Sequence, residues 1–160
     1  MMFIKIKAPL CKTRWIKIIL TIIALIIMLA VCSGCADSIH DAADSGNLSN
    51  VKRHLDSGVD ANMRGVNDWT PLHFAARKGH NEVIEYLIGA GAEVNLKQVD
   101  GRTPLHYAAA GGHTNTVKLL LQKGANINAR GIRDETPLSL AILMNKTETA
   151  EFLRANGGSE

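Results

Sequence analysis

Thr103-Pro104-Leu105-His106-Tyr107-Ala108-Ala109 occurs almost unchanged at a second place in this 160-residue chain. The earlier copy reads Thr70-Pro71-Leu72-His73-Phe74-Ala75-Ala76, and a reduced copy follows as Thr136-Pro137-Leu138-Ser139-Leu140-Ala141. The threonines at 70, 103 and 136 are 33 residues apart each time. A fixed period of this size predicts a stack of similar supersecondary units.

Each copy of the phrase carries the signals of a helix start. Proline suits the first helical turn, because its missing N–H would have no partner there. Gly79 and Gly112 follow the two full copies and are suited to the left-handed backbone that ends a helix. A second apolar stripe at helical spacing begins near Asn81, so each unit is predicted to be helix–turn–helix.

The Thr-Pro-Leu-His phrase at this period resembles the ankyrin repeat. The resemblance covers residues 37–160 and implies an all-α repeat solenoid of four helix-turn-helix repeats with short β-hairpin-like fingers. The repeats are expected at about 37–65, 66–98, 99–131 and 132–160. The first and last repeats are predicted to cap the stack, because the outer face of a terminal repeat is exposed to solvent. The first contains Asp41 and Asp44, and the last helix of the fourth repeat is polar on one side.

In ankyrin proteins the histidine of this phrase hydrogen-bonds the threonine and the neighbouring backbone. The resemblance implies this structural role for Thr70, His73, Thr103 and His106, and Gly79 and Gly112 are expected to be structural as the residues that end the helices. His73 and His106 should be about 8–10 Å apart, the distance between packed helices. A zinc ion needs each nitrogen within about 2.1 Å, so no metal site is expected.

Other chemistry is also not indicated. The sequence lacks a catalytic arrangement of nucleophile and base and a phosphate-binding glycine loop. We therefore expect no enzyme activity and no cofactor. Residues 36–160 hold 13 basic and 15 acidic residues without a basic stripe, so nucleic acid is not an expected partner. All three cysteines precede the repeats, which excludes a disulfide framework in the folded domain.

What remains is protein binding. The resemblance implies that a partner is held by the finger tips and the short inner helices. The predicted contact residues are Val66, Asn67, Trp69, Arg77, Lys78, Val99, Asp100, Arg102, Ile132, Arg133 and Glu135. Val66, Val99 and Ile132 occupy the same tip position three times. They either form an apolar row open to solvent or pack against one another, and the sequence leaves both possibilities open.

The N-terminus has the pattern of an export signal. Residues 1–17 contain five basic and no acidic residues, and residues 18–31 contain no charge. Val31-Cys32-Ser33-Gly34-Cys35-Ala36 resembles the lipobox of bacterial lipoproteins, although Cys32 stands where that motif prefers leucine. The resemblance implies lipidation of Cys35 with palmitate-type chains, a signal peptide at 1–34 and a repeat domain at 35–160. A cleaved signal without lipid is one alternative.

An uncleaved anchor is the other alternative, because the uncharged run 18–36 is close to the roughly 20 residues that span a bilayer. Both membrane-attached versions place the repeats on the exported side of a bacterial cell envelope. The expected function is a membrane-tethered module that binds another protein. The alternative is an immunity or inhibitor protein that neutralises a toxin or hydrolase at the envelope.

Overall fold

The computed structural model describes residues 38–160, and the predicted signal segment with Cys35 lies outside this range. Eight α-helices follow one another in it: α1 Ile39–Asp44, α2 Leu48–Asp56, α3 Pro71–Lys78, α4 Asn81–Gly89, α5 Pro104–Gly111, α6 Thr114–Gln122, α7 Pro137–Leu143 and α8 Thr147–Ala155. No strand occurs between residues 38 and 160. None of these helices is long and apolar enough to cross a bilayer.

Local sequence signals start and stop the helices. Thr70, Thr103 and Thr136 are the residues before α3, α5 and α7, and a proline opens each of these helices. Gly79 and Gly112 end α3 and α5 with φ of 77°. A side chain is strained at such an angle, which accounts for glycine at both positions.

The helices form two rows. The inner row is α1, α3, α5 and α7, in which each helix packs on the next, and the outer row is α2, α4, α6 and α8. The core lies between the rows and is periodic, with Leu72, Leu105 and Leu138 at most 1% exposed. Alanines such as Ala75 and Ala108 are fully buried and allow neighbouring inner helices to approach closely.

The second, third and fourth repeats each begin with a finger, which precedes α3, α5 and α7 respectively and takes the number of its repeat. Each finger has a turn bond at its tip and is closed by one hairpin-type hydrogen bond. Gly65 N–H donates to Trp69 O at 2.7 Å, Gln98 N–H to Arg102 O at 3.0 Å, and Gly131 N–H to Glu135 O at 3.0 Å. One bond per finger is too few to define a strand, so the fingers are hairpin-like without a sheet. The predicted all-α repeat solenoid is confirmed.

Candidate partner-binding face

Two buried histidines connect the fingers to the inner helices. Thr70 N–H donates to His73 Nδ1 at 3.2 Å, and Thr70 Oγ1 lies 2.8 Å from the same nitrogen. Because Nδ1 accepts from a backbone N–H, the ring proton is on Nε2, which donates to Arg102 O of the next finger at 3.2 Å. His106 repeats this arrangement with Thr103 and with Glu135 O. Both rings are therefore structural links between repeats.

Burial lowers the pKa of these two imidazoles. His73 is completely buried, and desolvation lowers its pKa to about 4, although its hydrogen bond to Arg102 O acts in the opposite direction. Burial also lowers the pKa of His106. Neutral imidazole is the form that can accept from one backbone group and donate to another, so the fold requires these rings uncharged.

A second periodic link was not among the predicted site residues. Asn95 Nδ2 donates to Gly124 O at 2.9 Å, and its Oδ1 accepts from Asn126 N–H at 2.8 Å. Asn62 and Asn128 make the same pair of bonds to the following repeat. The signal available in the sequence was the 33-residue spacing of these three asparagines.

The three apolar tip residues are open to solvent. Val66 is 83% exposed, Val99 60% and Ile132 70%, so they do not bury one another. Hydrogen bonds join each tip to the next: Val99 N–H donates to Asn67 O at 3.2 Å, and Ile132 N–H donates to Asp100 O at 2.9 Å. The tips therefore form a connected apolar row, whose backbone is already ordered before any partner arrives.

The Trp69 side chain packs against other aromatic residues of the chain instead of standing free on the surface. Its ring centroid lies 4.8 Å from that of Phe74 and 4.4 Å from that of Tyr107, and the side chain is half-buried. The Arg77 guanidinium lies 5.0 Å from the centre of the Trp69 ring. The tryptophan thus joins the second finger to α3 and α5, and it presents only part of its surface to a partner.

Phe74 and Tyr107 belong to this face and were missed by the sequence prediction. Both occupy the variable position after the histidine of the repeated phrase, where an aromatic residue stands in each full copy. Gln98 Nε2 donates to the Tyr107 hydroxyl at 2.8 Å, and Gln98 Oε1 accepts from Asp100 N–H. The aromatic cluster of Trp69, Phe74 and Tyr107 therefore connects the inner helices to the fingers.

Three of the six predicted charged contact residues form ion pairs within the chain. Arg77 pairs with Asp44 at 2.6 Å, and Arg102 pairs with Glu135 at 2.8 Å. Burial raises the pKa of Glu135, but hydrogen bonds from backbone N–H groups and Arg102 outweigh it and keep that pKa below its usual value. Lys78 and Arg133 are exposed, and neither side chain forms an ion pair within residues 38–160.

The inner row also exposes apolar residues at its C-terminal end. Leu143 is 68% exposed and Met144, directly after α7, is 49% exposed. Neither was among the predicted site residues, although both align with Arg77 and Lys78 at the 33-residue period. Between residues 38 and 160, no three histidine, cysteine, aspartate or glutamate side chains are grouped so that they could hold a metal ion.

Comparison with known protein families agrees with the repeat architecture. A family model described as ankyrin repeats (three copies) matches residues 39–131 and, in a second overlapping match, residues 91–160. The two matches together include all eight helices. No curated protein sequence matches the chain.

Proposed function

The chain belongs to the ankyrin repeat family. We propose that its repeat domain binds a partner protein through the fingers and inner helices, and that the chain is attached to a bacterial cell envelope. Repeats of this family generally mediate protein–protein interaction. The observation that carries the proposal is the connected row of Val66, Val99 and Ile132, because each of the three is at least 60% exposed and contiguous exposed apolar surface marks an interaction site.

The tip row is tested with substitutions that leave the fold intact. The variant Val66→Ser/Val99→Ser/Ile132→Ser removes apolar surface that is already in water, so stability should stay within about 1 kcal/mol of wild type. A photoreactive amino acid at Asp100, beside the row, should crosslink one discrete protein in living cells. The triple substitution should reduce that product at least about tenfold, as expected when interface anchors are removed.

The matched control is the outer row of helices. Glu85→Ser/Lys123→Ser/Glu151→Ser changes three exposed residues there and should leave the crosslinked product unchanged. A photoreactive group at Lys123 should give no such product. The same product from Lys123, or its survival in the tip variant, would count against the proposed face. Trp69 and Arg77 are unsuitable test positions, because their replacement would disturb the aromatic cluster.

Attachment to the membrane is proposed on the N-terminal sequence. A basic segment, an uncharged run and a Ser-Gly-Cys motif support lipidation of Cys35, and acyl chains contribute about 0.8 kcal/mol per CH₂ buried in a bilayer. Cys35→Ser should abolish incorporation of radiolabelled palmitate. The control variant Cys32→Ser should still be labelled. Palmitate that remains on the Cys35→Ser protein would end the proposal that Cys35 is lipidated. A wild-type chain without palmitate would favour an uncleaved anchor or a plain signal.

An immunity or inhibitor role is one form of the same binding function. The crosslinked product distinguishes it, because the partner would then be a toxic enzyme or hydrolase acting at the envelope. Deleting this chain should make cells sensitive to that enzyme, and the tip variant should reproduce the sensitivity. A crosslinked partner without such activity would exclude this role and keep the binding function.

A further inference from the structure

The inner helices of the second, third and fourth repeats contain no acidic residue. Across Pro71–Lys78, Pro104–Gly111 and Pro137–Leu143 the charged residues are Arg77 and Lys78. The Arg77 charge is balanced by Asp44 at 2.6 Å. Lys78 is exposed and has no such partner within residues 38–160, so this part of the face has a single uncompensated positive charge.

The carboxylates of the inner row lie in α1, which packs on α3 at the end away from α5 and α7. Asp41 is ionised and accepts a hydrogen bond from the Ser38 hydroxyl at 2.7 Å, and Asp44 is paired with Arg77. On the fingers, Glu135 pairs with Arg102, while Arg64–Asp68 and Arg130–Asp134 are ion pairs within single fingers. The finger charges outside these pairs are Lys97, Asp100 and Arg133, which together add one further positive charge.

The outer row has no excess of positive charge. Counted with Lys123, which directly follows α6, it carries five acidic and five basic residues, and α4 contains Glu82 and Glu85 without any base. The unpaired Lys78 therefore favours a carboxylate at its end of the inner row.

Apolar surface continues the inner row beyond Lys78. Residues 78, 111 and 144 occupy equivalent positions, and packed helices lie about 8–10 Å apart, so Lys78 and Met144 are separated by about 16–20 Å. Leu143 and Met144 supply exposed apolar surface at that end. The equivalent residues between these two ends are Ala110 and Gly111, which are half-buried and have little or no side chain.

We propose that the partner presents an acidic amphipathic segment to this row, with a carboxylate at Lys78 and large apolar side chains on Leu143 and Met144. The inference rests on the proposed function, because it specifies the chemistry of the protein that the face binds. A span of 16–20 Å corresponds to about 11–13 residues of helix or about 5–6 residues of extended chain. The charge at one end and the apolar surface at the other orient the segment along the row.

The probe is a random 15-residue peptide library displayed on phage and selected on the purified full chain. We expect the enriched peptides to have net negative charge and at least two large apolar residues. Lys78→Glu and Ala110→Glu should each weaken their binding at least about tenfold, because like charges face each other. Ala110→Lys adds a side chain of similar bulk without negative charge, and it should bind the peptides as tightly as the wild-type chain does. Lys123→Glu, on the outer row, should have no effect.

Each other result overturns the inference. Selected peptides that are neutral or basic, or whose affinity is unchanged by Lys78→Glu, contradict it. Peptides that depend on Val66 and Ile132 but tolerate Lys78→Glu and Ala110→Glu also contradict it, and they leave the proposed binding function intact. Peptides that bind the Val66→Ser/Val99→Ser/Ile132→Ser variant and the Lys78→Glu variant as tightly as the wild-type chain reject both proposals. A library without any binder to the wild-type chain rejects the acidic segment.

Discussion

At the scale of single residues, neutral histidine is the side chain that meets two opposite hydrogen-bonding demands. In the second and third repeats it accepts from a backbone N–H on one side and donates to a backbone carbonyl of the next finger on the other. The fourth repeat has Ser139 at this position. Its hydroxyl still accepts from Thr136 N–H at 2.9 Å, while Thr136 Oγ1 donates to Ser159 O, so the end of the chain takes the place of a following finger.

We expect the stability of the domain to fall between pH 6.5 and pH 4. The pKa of His73 is about 4 in the folded chain against 6.5 in the unfolded chain, so the unfolded state binds the proton first as pH falls. The resulting loss for His73 is about 2 kcal/mol between pH 7 and pH 5. Urea unfolding at the two pH values measures it. His73→Gln should be less stable at pH 7 but should show a smaller pH dependence, and an unchanged dependence would contradict the assignment.

At the scale of elements, each finger has a residue in the left-handed backbone region at the same position, and this residue is aspartate in two fingers and glycine in one. Asp68 and Asp134 have φ of 60° and 63°, and Gly101 has φ of 73° at the equivalent position. Each aspartate tolerates the left-handed region and also pairs with the arginine four residues earlier. In the third finger, a Cβ on residue 101 would lie 3.0 Å from Ile132 N, which itself bonds to Asp100 O. The second and third fingers join with Asp68 at this position, through a longer hydrogen bond of 3.2 Å between Val99 N and Asn67 O, whereas Gly101 leaves room for the 2.9 Å bond between Ile132 N and Asp100 O.

Gly101→Val should destabilise the domain by about 1–3 kcal/mol, because a β-branched residue is strained at this backbone angle and crowds Ile132. Urea unfolding gives the free energy. The comparison variant is Asp134→Gly, which makes the backbone easier to accommodate but removes an exposed ion pair, and it should change stability by less than about 1 kcal/mol. Equal changes in the free energy of unfolding for the two variants would contradict a contribution of the contact between residue 101 and Ile132 to stability.

At the scale of the whole molecule, each repeat is stabilised chiefly by its immediate neighbours. The links between repeats join residues 29 to 36 positions apart: His73 and Arg102 O, Asn95 and Gly124 O, His113 and Arg77 O. No described contact of this kind skips a repeat. Stability in such a stack is approximately the sum of repeat and interface contributions, and terminal repeats have a neighbour on one side only.

A core substitution should therefore have consequences that depend on its position in the stack. Leu105→Ala, in the third repeat, should cost about 2–5 kcal/mol and lower the hydrogen-exchange protection of the repeats on both sides. Leu153→Ala, in the last helix, removes an equally buried side chain but should lower protection mainly in the fourth repeat. Mass-spectrometric hydrogen exchange separates the two patterns, and identical patterns would contradict nearest-neighbour stabilisation.

The amino-acid sequence by itself determined the repeat architecture and the positions of its turns. The signals are local: a proline opens α3, α5 and α7, and Gly79 and Gly112 end helices because of the backbone angle that each position requires. Their recurrence every 33 residues reinforces each of them, so the helices and their stacking order follow from pattern alone. The predicted tip residues were also identifiable, because a tip lies at a constant distance before each Thr-Pro-Leu.

Only the tertiary structure decided which of those tip and helix residues are available to a partner. Trp69 is occupied by Phe74 and Tyr107, and Arg77 and Arg102 are neutralised by carboxylates of neighbouring repeats, whereas Val66, Val99 and Ile132 remain open. The physical reason is that these contacts, apart from the one between Trp69 and Phe74, join residues about one repeat apart. Their pairing depends on side-chain reach and packing between repeats, which no pattern within a single repeat contains.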